Sequence, residues 1–287
     1  MSELIIARSL EHALEVLAGG EARLLAGGTD LMVALRRDRL AGREPPSLIL
    51  DLSRVPELLR LEPEGQRPFI GAAVSFHRLE SDPRLGRLYP LLARAAAAVG
   101  SLQVRHAGTL GGNAANASPA ADGVCALTAL GARALVASPA GEREMALEEL
   151  ITAPYRTCLA PDQIIVGFFL DRPGPAQGQV FLKVGRRRAL AVARLNLALA
   201  LDRELADPRV SLGSCFPTPR RLAVVEDLVR GAGKIDSELC QEAGRRAAAE
   251  FTAVCGQRHS SPYKLPAISA LVARGLEMAW RGLGGAA

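Results

Sequence analysis

Two Gly-Gly turns constrain this chain more than any other feature of its sequence. They lie in LLAGGTDLMVALR (Leu24–Arg36) and in GTLGGNAANASPAAD (Gly108–Asp122). In both, an apolar or β-branched run gives way to small and polar residues, which predicts a strand end where the backbone turns tightly without side-chain cover. Adjacent glycines let amide N–H groups converge on an anion, and a helix that begins just after adds the positive end of its dipole. Two such turns could hold the two phosphates of a dinucleotide.

Neither turn matches the common nucleotide-binding fingerprints. Gly27-Gly28-Thr29-Asp30 lacks the G-x-G-x-x-G spacing of a dinucleotide loop, and no Lys-Ser or Lys-Thr follows it as a P-loop requires. A single Gly-Gly turn is more often a helix C-cap or a hairpin corner than a phosphate site. Two such turns, each followed by small and polar residues, favour phosphate binding. The residues by themselves indicate no more than that.

Length, charge and hydropathy narrow the class of protein. A chain of 287 residues is long enough for two domains with separate cores. The net charge of +5 comes from arginines spread along the chain, and aromatic residues make up only 4%, so no nucleic-acid surface is expected. No apolar run approaches the roughly 20 residues that span a bilayer, and the acidic N-terminal segment does not resemble a signal peptide. We therefore predict a cytoplasmic protein without a membrane span.

The cysteines and histidines are too scattered to form a metal centre. The five cysteines contain no C-x-x-C pair, and an odd number of them favours reduced thiols over a disulfide framework. The chain is therefore not expected to hold an iron–sulfur cluster, which needs closely placed thiolates. No metal site and no catalytic acid, base or nucleophile is predicted.

The segment DRPGPAQGQ (Asp171–Gln179) is the clearest linker, with two prolines and two glycines. We predict a first domain over residues 1–175, in which a helix at Tyr89–Val99 leads to the second Gly-Gly turn, and a second domain over residues 176–287. In the second domain, three strand-like runs are predicted at Val180–Val184, Leu190–Leu201 and Arg209–Cys215. Three helical runs follow at Thr218–Val229, Asp236–Phe251 and Leu265–Trp280. Strands followed by helices predict an α+β unit with an antiparallel sheet backed by helices.

The motifs A-G-G-T-D-L and T-L-G-G-N…A-S-P-A-A-D resemble those of the FAD-binding subunits of the molybdenum hydroxylases, a family that includes xanthine dehydrogenases and aerobic carbon monoxide dehydrogenases. The resemblance continues through Phe181–Asn196, Gly213–Arg221 and Ser261–Arg274, and so spans nearly the whole chain. It implies an α+β fold, with a two-part FAD-binding domain of the vanillyl-alcohol oxidase/PCMH type. A C-terminal domain with a three-stranded antiparallel sheet and helices would follow.

The resemblance also implies which residues bind FAD, mostly through backbone amides in the two loops. They are Leu24, Leu25, Ala26, Gly27, Gly28, Thr29, Asp30, Leu31, Val99, Thr109, Leu110, Gly111, Gly112, Asn113, Asp122, Ile165 and Lys183. It gives Lys183 the role of a fixed cation near the flavin. The residues alone leave alternatives open: a helix N-cap for Asp122, core burial for Ile165 and a solvated strand lysine for Lys183.

The function implied by the resemblance is that of an electron relay. FAD would be bound non-covalently and would receive electrons from 2Fe-2S clusters on a small partner subunit, while a large molybdopterin subunit oxidises the substrate. An external acceptor such as NAD would then be reduced. Two alternatives remain open: a self-contained flavin oxidase, and a flavin-free nucleotide-binding assembly module.

Two features near the end of the first predicted C-terminal strand bear on the acceptor. Many family members carry an acidic pair where this chain has Leu190-Ala191, which weakens the case for NAD handling of the xanthine dehydrogenase type. The arginine cluster Arg186–Arg188 could steer an acidic partner or the phosphates of a nicotinamide dinucleotide, or form a solvated turn.

Overall fold

The computed structural model describes residues 2–174, 177–187 and 190–285, so that Arg188 of the arginine cluster and part of the linker lie outside the described residues. Up to the linker, the elements are β1 (Glu3–Ile6), α1 (Leu10–Ala18), β2 (Arg23–Leu25), α2 (Leu31–Leu40), β3 (Leu48–Asp51), a short 3₁₀-helix (Pro56–Leu59), β4 (Leu61–Glu62), β5 (Phe69–Gly71), α3 (Phe76–Ser81), α4 (Pro83–Leu88), α5 (Pro90–Ala97), α6 (Leu102–Ala107), α7 (Leu110–Asn116), α8 (Asp122–Ala129), β6 (Arg133–Ser138), β7 (Gly141–Ala146), α9 (Leu147–Leu150), β8 (Ile151–Ala153), β9 (Arg156–Thr157) and β10 (Ile164–Phe169). From Gln177 onward, they are β11 (Gln177–Gly185), β12 (Ala193–Asp202), β13 (Arg209–Gly213), β14 (Arg220–Arg221), α10 (Ala223–Val229), α11 (Ser237–Cys255) and α12 (Ser261–Gly282).

The part of the chain before the linker contains two main sheets. A parallel sheet has the order β1-β3-β2, and an antiparallel sheet has the order β4-β5-β10-β6-β7. Helices α5 and α8 pack together, and their apolar residues share one core with both sheets. This arrangement confirms the predicted mixed α and β fold with a two-part first half.

The C-terminal sheet has the order β11-β12-β13-β14, and all of its pairs are antiparallel. The three predicted strands are confirmed, and β14 adds a two-residue edge beside β13. Strand β12 begins at Ala193 rather than at the predicted Leu190, which is exposed and has a left-handed φ of 54°. Helix α12 begins at Ser261, before the predicted Leu265, because Pro262 is tolerated in a first helical turn.

Strand β12 joins the two halves of the molecule. Its segment Leu195–Leu201 is apolar at almost every position, which is typical of a strand buried on both faces. Its leucines lie in a second core together with α11 and α12, whereas Ala198 and Ala200 lie in the first core. Small residues on that face let α8 approach β12 and β13 closely. The C-terminal sheet is therefore covered by helices from both halves of the chain.

The structure corrects the prediction for the second Gly-Gly turn. The predicted helix at Tyr89–Val99 ends at Ala97 as α5, and a further helix, α6, comes before the turn. The turn therefore joins α6 to α7 and does not end a strand; its only strand-like feature is an isolated antiparallel bridge between Ser75 and Thr109. The segment Leu102–Ala107 is short, and its large apolar residues Leu102 and Val104 are two positions apart, so the sequence shows no helical periodicity there.

We expect Asp82→Ala to lower the free energy of unfolding by about 1 kcal/mol at neutral pH, because Asp82 caps helix α4. Its carboxylate accepts hydrogen bonds from the N–H groups of Arg84 at 2.9 Å and Leu85 at 3.2 Å. The Arg84 side chain and these amides lower the pKa of Asp82 despite burial. Because the pKa of Asp82 is lower in the folded state, its carboxylate stabilises the fold at pH values above its ordinary pKa near 3.8. This contribution is lost as the pH falls through the pKa of the folded state.

Urea unfolding at pH 7 and again near pH 3 measures both effects. Asp227→Ala is the control, because Asp227 is an exposed carboxylate that pairs with the nearby Arg230 on the surface. An equal loss in Asp82→Ala at the two pH values would contradict the role of the carboxylate.

Candidate cofactor-binding site

A cleft of about 490 Å³ opens where the parallel sheet faces the five-stranded sheet. Its walls include Leu24 in β2, Leu52 after β3 and Ile165 in β10. The first loop (Leu24–Leu31) and the second loop (Thr109–Asn113) both border it. A cleft of this size is typical of small-molecule and cofactor sites.

The cleft brings together most of the residues that the sequence predicted for FAD. Those that line it are Leu24, Ala26, Gly27, Gly28, Thr29, Asp30, Leu31, Val99, Thr109, Gly111, Gly112, Asn113 and Ile165. Leu25, Leu110, Asp122 and Lys183 do not line it. The structure thus separates a lining set from four residues that lie behind the surface.

The two glycines of the first loop have different structural tasks. A Cβ on Gly27 would lie 2.0 Å from the carbonyl oxygen of Ala107 and 2.8 Å from Cα of Gly108, so only glycine lets the first loop pack on the chain that leads into the second. Gly28 has a φ of +68°, a left-handed conformation that glycine adopts at no steric cost. Gly27 therefore joins the loops, and Gly28 turns the backbone toward α2.

The first loop offers unpaired backbone donors to the cleft. Among the described residues, none accepts a hydrogen bond from the N–H groups of residues 27–31. These amides precede and begin α2, whose N-cap residue Asp30 makes no capping bond with its side chain. Open N–H groups at the N-terminus of a ten-residue helix form a favourable environment for a phosphate. The sequence-based prediction of an anion site therefore has a structural basis in this loop.

The second loop differs from this pattern. The N–H of Leu110 donates to the carbonyl of Val74 at 3.0 Å, and the N–H of Gly111 donates to that of Ala72 at 2.8 Å. The N–H groups of Gly112 and Asn113 donate to the hydroxyl and the carbonyl of Thr109, respectively, both at 3.0 Å. The first loop thus keeps amides available for a ligand, whereas the second loop uses these donors to hold its own shape.

Asp122 and Lys183 form a buried ion pair behind the cleft. The Lys183 ammonium contacts the Asp122 carboxylate and donates to the carbonyl of Ala98 at 2.8 Å. The side-chain amide of Asn196 donates to the second Asp122 oxygen at 2.8 Å. Burial raises the pKa of Asp122, while Lys183 and Asn196 oppose that rise.

These contacts decide between the roles left open by the sequence. The N-cap of α8 is Ala121, so an N-cap role for Asp122 is wrong. A solvated Lys183 is wrong as well, because only 14% of its side chain is exposed. Ile165 is buried, at 6% exposed, so its core burial is confirmed, and it also forms part of the cleft wall.

Several cleft residues escaped sequence reasoning. Phe76, Val104 and Gly108 come from α3, α6 and the start of the second loop, and Pro161 and Gln163 come from the turn before β10. The pairing of β10 with β6 is shifted between Ile165 and Gly167, a bulge of the kind that often re-aims side chains near binding sites. The only local signal for this region is the A-P-D turn before an apolar strand.

The residues present fit FAD. A diphosphate needs convergent donors, which the first loop provides, and the ring system needs apolar walls, which Val99, Val104 and Ile165 provide. Within residues 2–174, 177–187 and 190–285, no group of three or more histidine, cysteine or acidic residues is placed to bind a metal ion. All five cysteines are free thiols, and no helix of that same part of the chain is long and apolar enough to cross a membrane.

Two family models match the chain. The model described as the FAD binding domain in molybdopterin dehydrogenase matches residues 1–172. The model described as the CO dehydrogenase flavoprotein C-terminal domain matches residues 180–279. Both halves of the sequence therefore match models from the same class of flavoprotein.

Individual proteins agree with these models. The chain is 33% identical over 181 residues to the FAD subunit of nicotinate dehydrogenase from Eubacterium barkeri, a match that spans 62% of this chain and 60% of that subunit. It is 30% identical over 271 residues to the glyceraldehyde dehydrogenase medium chain of Sulfolobus acidocaldarius, spanning 92% of this chain and 93% of that one.

A solved structure extends the likeness to three dimensions. A chain of carbon monoxide dehydrogenase from Hydrogenophaga pseudoflava superposes with a TM-score of 0.88 and 26% sequence identity, covering 98% of each chain. The fold and the domain models point to the same group of proteins as the loops that border the cleft. The chain belongs to the FAD-binding subunits of the molybdenum hydroxylase family, and FAD is its cofactor.

Proposed function

We propose that this chain carries electrons within a molybdenum hydroxylase: from 2Fe-2S clusters on a small partner subunit, through FAD, to an external acceptor such as NAD. A large molybdopterin subunit would oxidise the substrate. The observation that carries the proposal is the cleft itself, which is bordered by apolar side chains and by residues 27–31, whose amides have no hydrogen-bond acceptor among the described residues. Bound FAD supplies the ability to take up electrons singly and deliver them as a pair.

The residues of the chain would bind and orient the cofactor. The first loop would hold the diphosphate through its amides and the N-terminus of α2. Val99 and Ile165 would contact the ring system and exclude water, and Thr109 would border the cofactor from the second loop. Leu25 and Leu110 would support the loops from behind, while Asp122 and Lys183 would place a compact ion pair near the ring.

The assignment of two domains to the chain is also a proposal. We assign residues 1–175 to the FAD-binding domain and residues 176–287 to a C-terminal domain that completes the fold. The family models leave a gap at 173–179, which is compatible with a boundary there. Free thiols at all five cysteines support a cytoplasmic location, where such thiols stay reduced.

The first test is the absorbance spectrum of the purified chain, followed by identification of any cofactor released by heat. We expect a flavin spectrum and close to one FAD per chain after incubation with FAD. Anaerobic NADH should then bleach the flavin band if NAD is the external acceptor, because the reaction is reversible. The arginines Arg186 and Arg187, both exposed, would favour the approach of the dinucleotide phosphates.

The alternatives give different results in the same preparation. A folded chain that stays colourless with excess FAD would indicate a flavin-free assembly module and overturn the proposal. Reduction of the flavin by an organic substrate, without any partner subunit, would indicate a self-contained oxidase. A flavin that NADH leaves oxidised would redirect the acceptor to another class of molecule.

A further inference from the structure

Three successive carbonyls at one wall of the cleft are held by two cationic side chains. Lys183 Nζ donates to the carbonyl of Ala98 at 2.8 Å. Arg105 Nη1 donates to the next two carbonyls, those of Val99 at 3.3 Å and Gly100 at 3.4 Å. Val99 lines the cleft, so these contacts hold the segment that presents its side chain to the cofactor.

Each cation is in turn held by a carboxylate of low exposure. Lys183 pairs with Asp122, and Arg105 pairs with Glu80, with 2.8 Å between Arg105 Nε and Glu80 Oε2. The Nε–H bond does not point at that oxygen, so this contact is an ion pair rather than an aligned hydrogen bond. The other oxygen of Glu80 lies 2.9 Å from Nδ1 of His77. Burial would raise the pKa of Glu80, yet His77 and Arg105 together lower it, so the carboxylate stays ionised.

The held segment is a tight connection between two helices, in which a glycine supplies the left-handed turn. It spans the few residues between the end of α5 at Ala97 and the start of α6 at Leu102. Within it, Gly100 has a left-handed φ of 44°. Three carbonyls in a tight connection would otherwise rely on water, and a cation that bridges two of them restricts the chain to one conformation.

We propose that Arg105 and Glu80 form a positioning pair that fixes the Val99 wall of the FAD cleft. Neither residue lines the cleft, so both act on the cofactor only through the Ala98–Gly100 segment. The side chain of Arg105 is 17% exposed and that of Glu80 is 15% exposed, as expected for a supporting pair rather than a solvated one. The proposal rests on FAD occupying this cleft.

The test compares Arg105→Ala, Arg105→Lys and Glu80→Gln with the unchanged full-length chain. FAD affinity is measured by fluorescence titration, and hydrogen–deuterium exchange of the peptide covering residues 98–107 is measured without FAD. We expect Arg105→Ala to weaken FAD binding about tenfold and to speed exchange in that peptide. Arg105→Lys should restore only part of both effects, since one ammonium cannot reproduce the guanidinium contacts with two carbonyls and Glu80.

Arg245→Ala is the matched control, because Arg245 also forms an arginine–glutamate pair, with Glu242 at 2.9 Å, but on α11. It should change neither the FAD affinity nor the exchange at 98–107. Unchanged affinity and exchange in Arg105→Ala would overturn the positioning role. If that variant does not fold, Glu80→Gln decides: it should bind FAD more weakly with faster exchange, and wild-type values would overturn the role. Failure of the unchanged chain to bind FAD would instead overturn the proposed function.

Discussion

Gly27→Ala should lower the affinity of this chain for FAD by about 100-fold or more. The added Cβ would meet the carbonyl oxygen of Ala107 at 2.0 Å and Cα of Gly108 at 2.8 Å, and both are backbone atoms that cannot rotate away. The first loop must then separate from the chain that leads into the second loop, and the wall of the cleft opens. Overpacking typically costs about 1 to 3 kcal/mol, and the upper end of that range corresponds to the expected loss. Equilibrium titration with FAD measures the effect.

Gly86→Ala is the control for Gly27→Ala. Gly86 lies in α4, and nothing would come within 4 Å of a Cβ at that position, so alanine should leave FAD binding unchanged and stabilise the helix slightly. Urea unfolding checks whether the Gly27 variant remains folded. We expect that it does, because the clash involves no residue of the C-terminal core. Wild-type FAD affinity in a folded Gly27→Ala protein would rule out the close approach of the two loops as a requirement for binding.

Removing one member of the Asp122–Lys183 pair should cost about 3 to 5 kcal/mol of unfolding free energy. Among the partners that the described residues supply, Lys183→Met leaves the Asp122 carboxylate, which is 5% exposed, with only the Asn196 amide. Asp122→Leu likewise leaves the ammonium with only the carbonyl of Ala98. A buried charge without its counter-ion is far more costly than the pair, and the double variant should recover most of the lost stability. Urea unfolding of the two single variants and the double variant gives the coupling energy directly.

A redox role of Lys183, which we propose, can be tested separately from this structural effect. The contact with Asp122 makes the pair nearly neutral, so the double variant should shift the midpoint potential of bound FAD much less than Lys183→Met does. The single variant removes the positive charge and leaves the negative one, which should lower the potential. Additive stability losses in the double-variant cycle, or equal potentials in all variants, would contradict the pair as described here.

Much of the cleft could be predicted from the sequence because the responsible residues are local. The A-G-G-T-D-L motif predicts a turn with open amides followed by a helix, and this is what the first loop and α2 form. Most residues of the T-L-G-G-N motif line the same cleft, yet the amides of the motif are paired with Val74, Ala72 and Thr109. Which donors are open depends on neighbouring acceptors, and two of these, the carbonyls of Ala72 and Val74, come from a distant part of the sequence.

The motifs of the sequence were enough to identify the family through their resemblance to its members, and the glycine turns predicted the loops that border the cleft, because a turn is encoded by a few neighbouring residues. Only the tertiary structure decided the support behind the cleft. Lys183 lies 61 residues from Asp122 and 85 from Ala98, and no local pattern relates them. The Arg105–Glu80 pair similarly depends on how α3 packs against α6. Such contacts arise when cores assemble and charged groups must find partners out of water, which is a property of the whole fold.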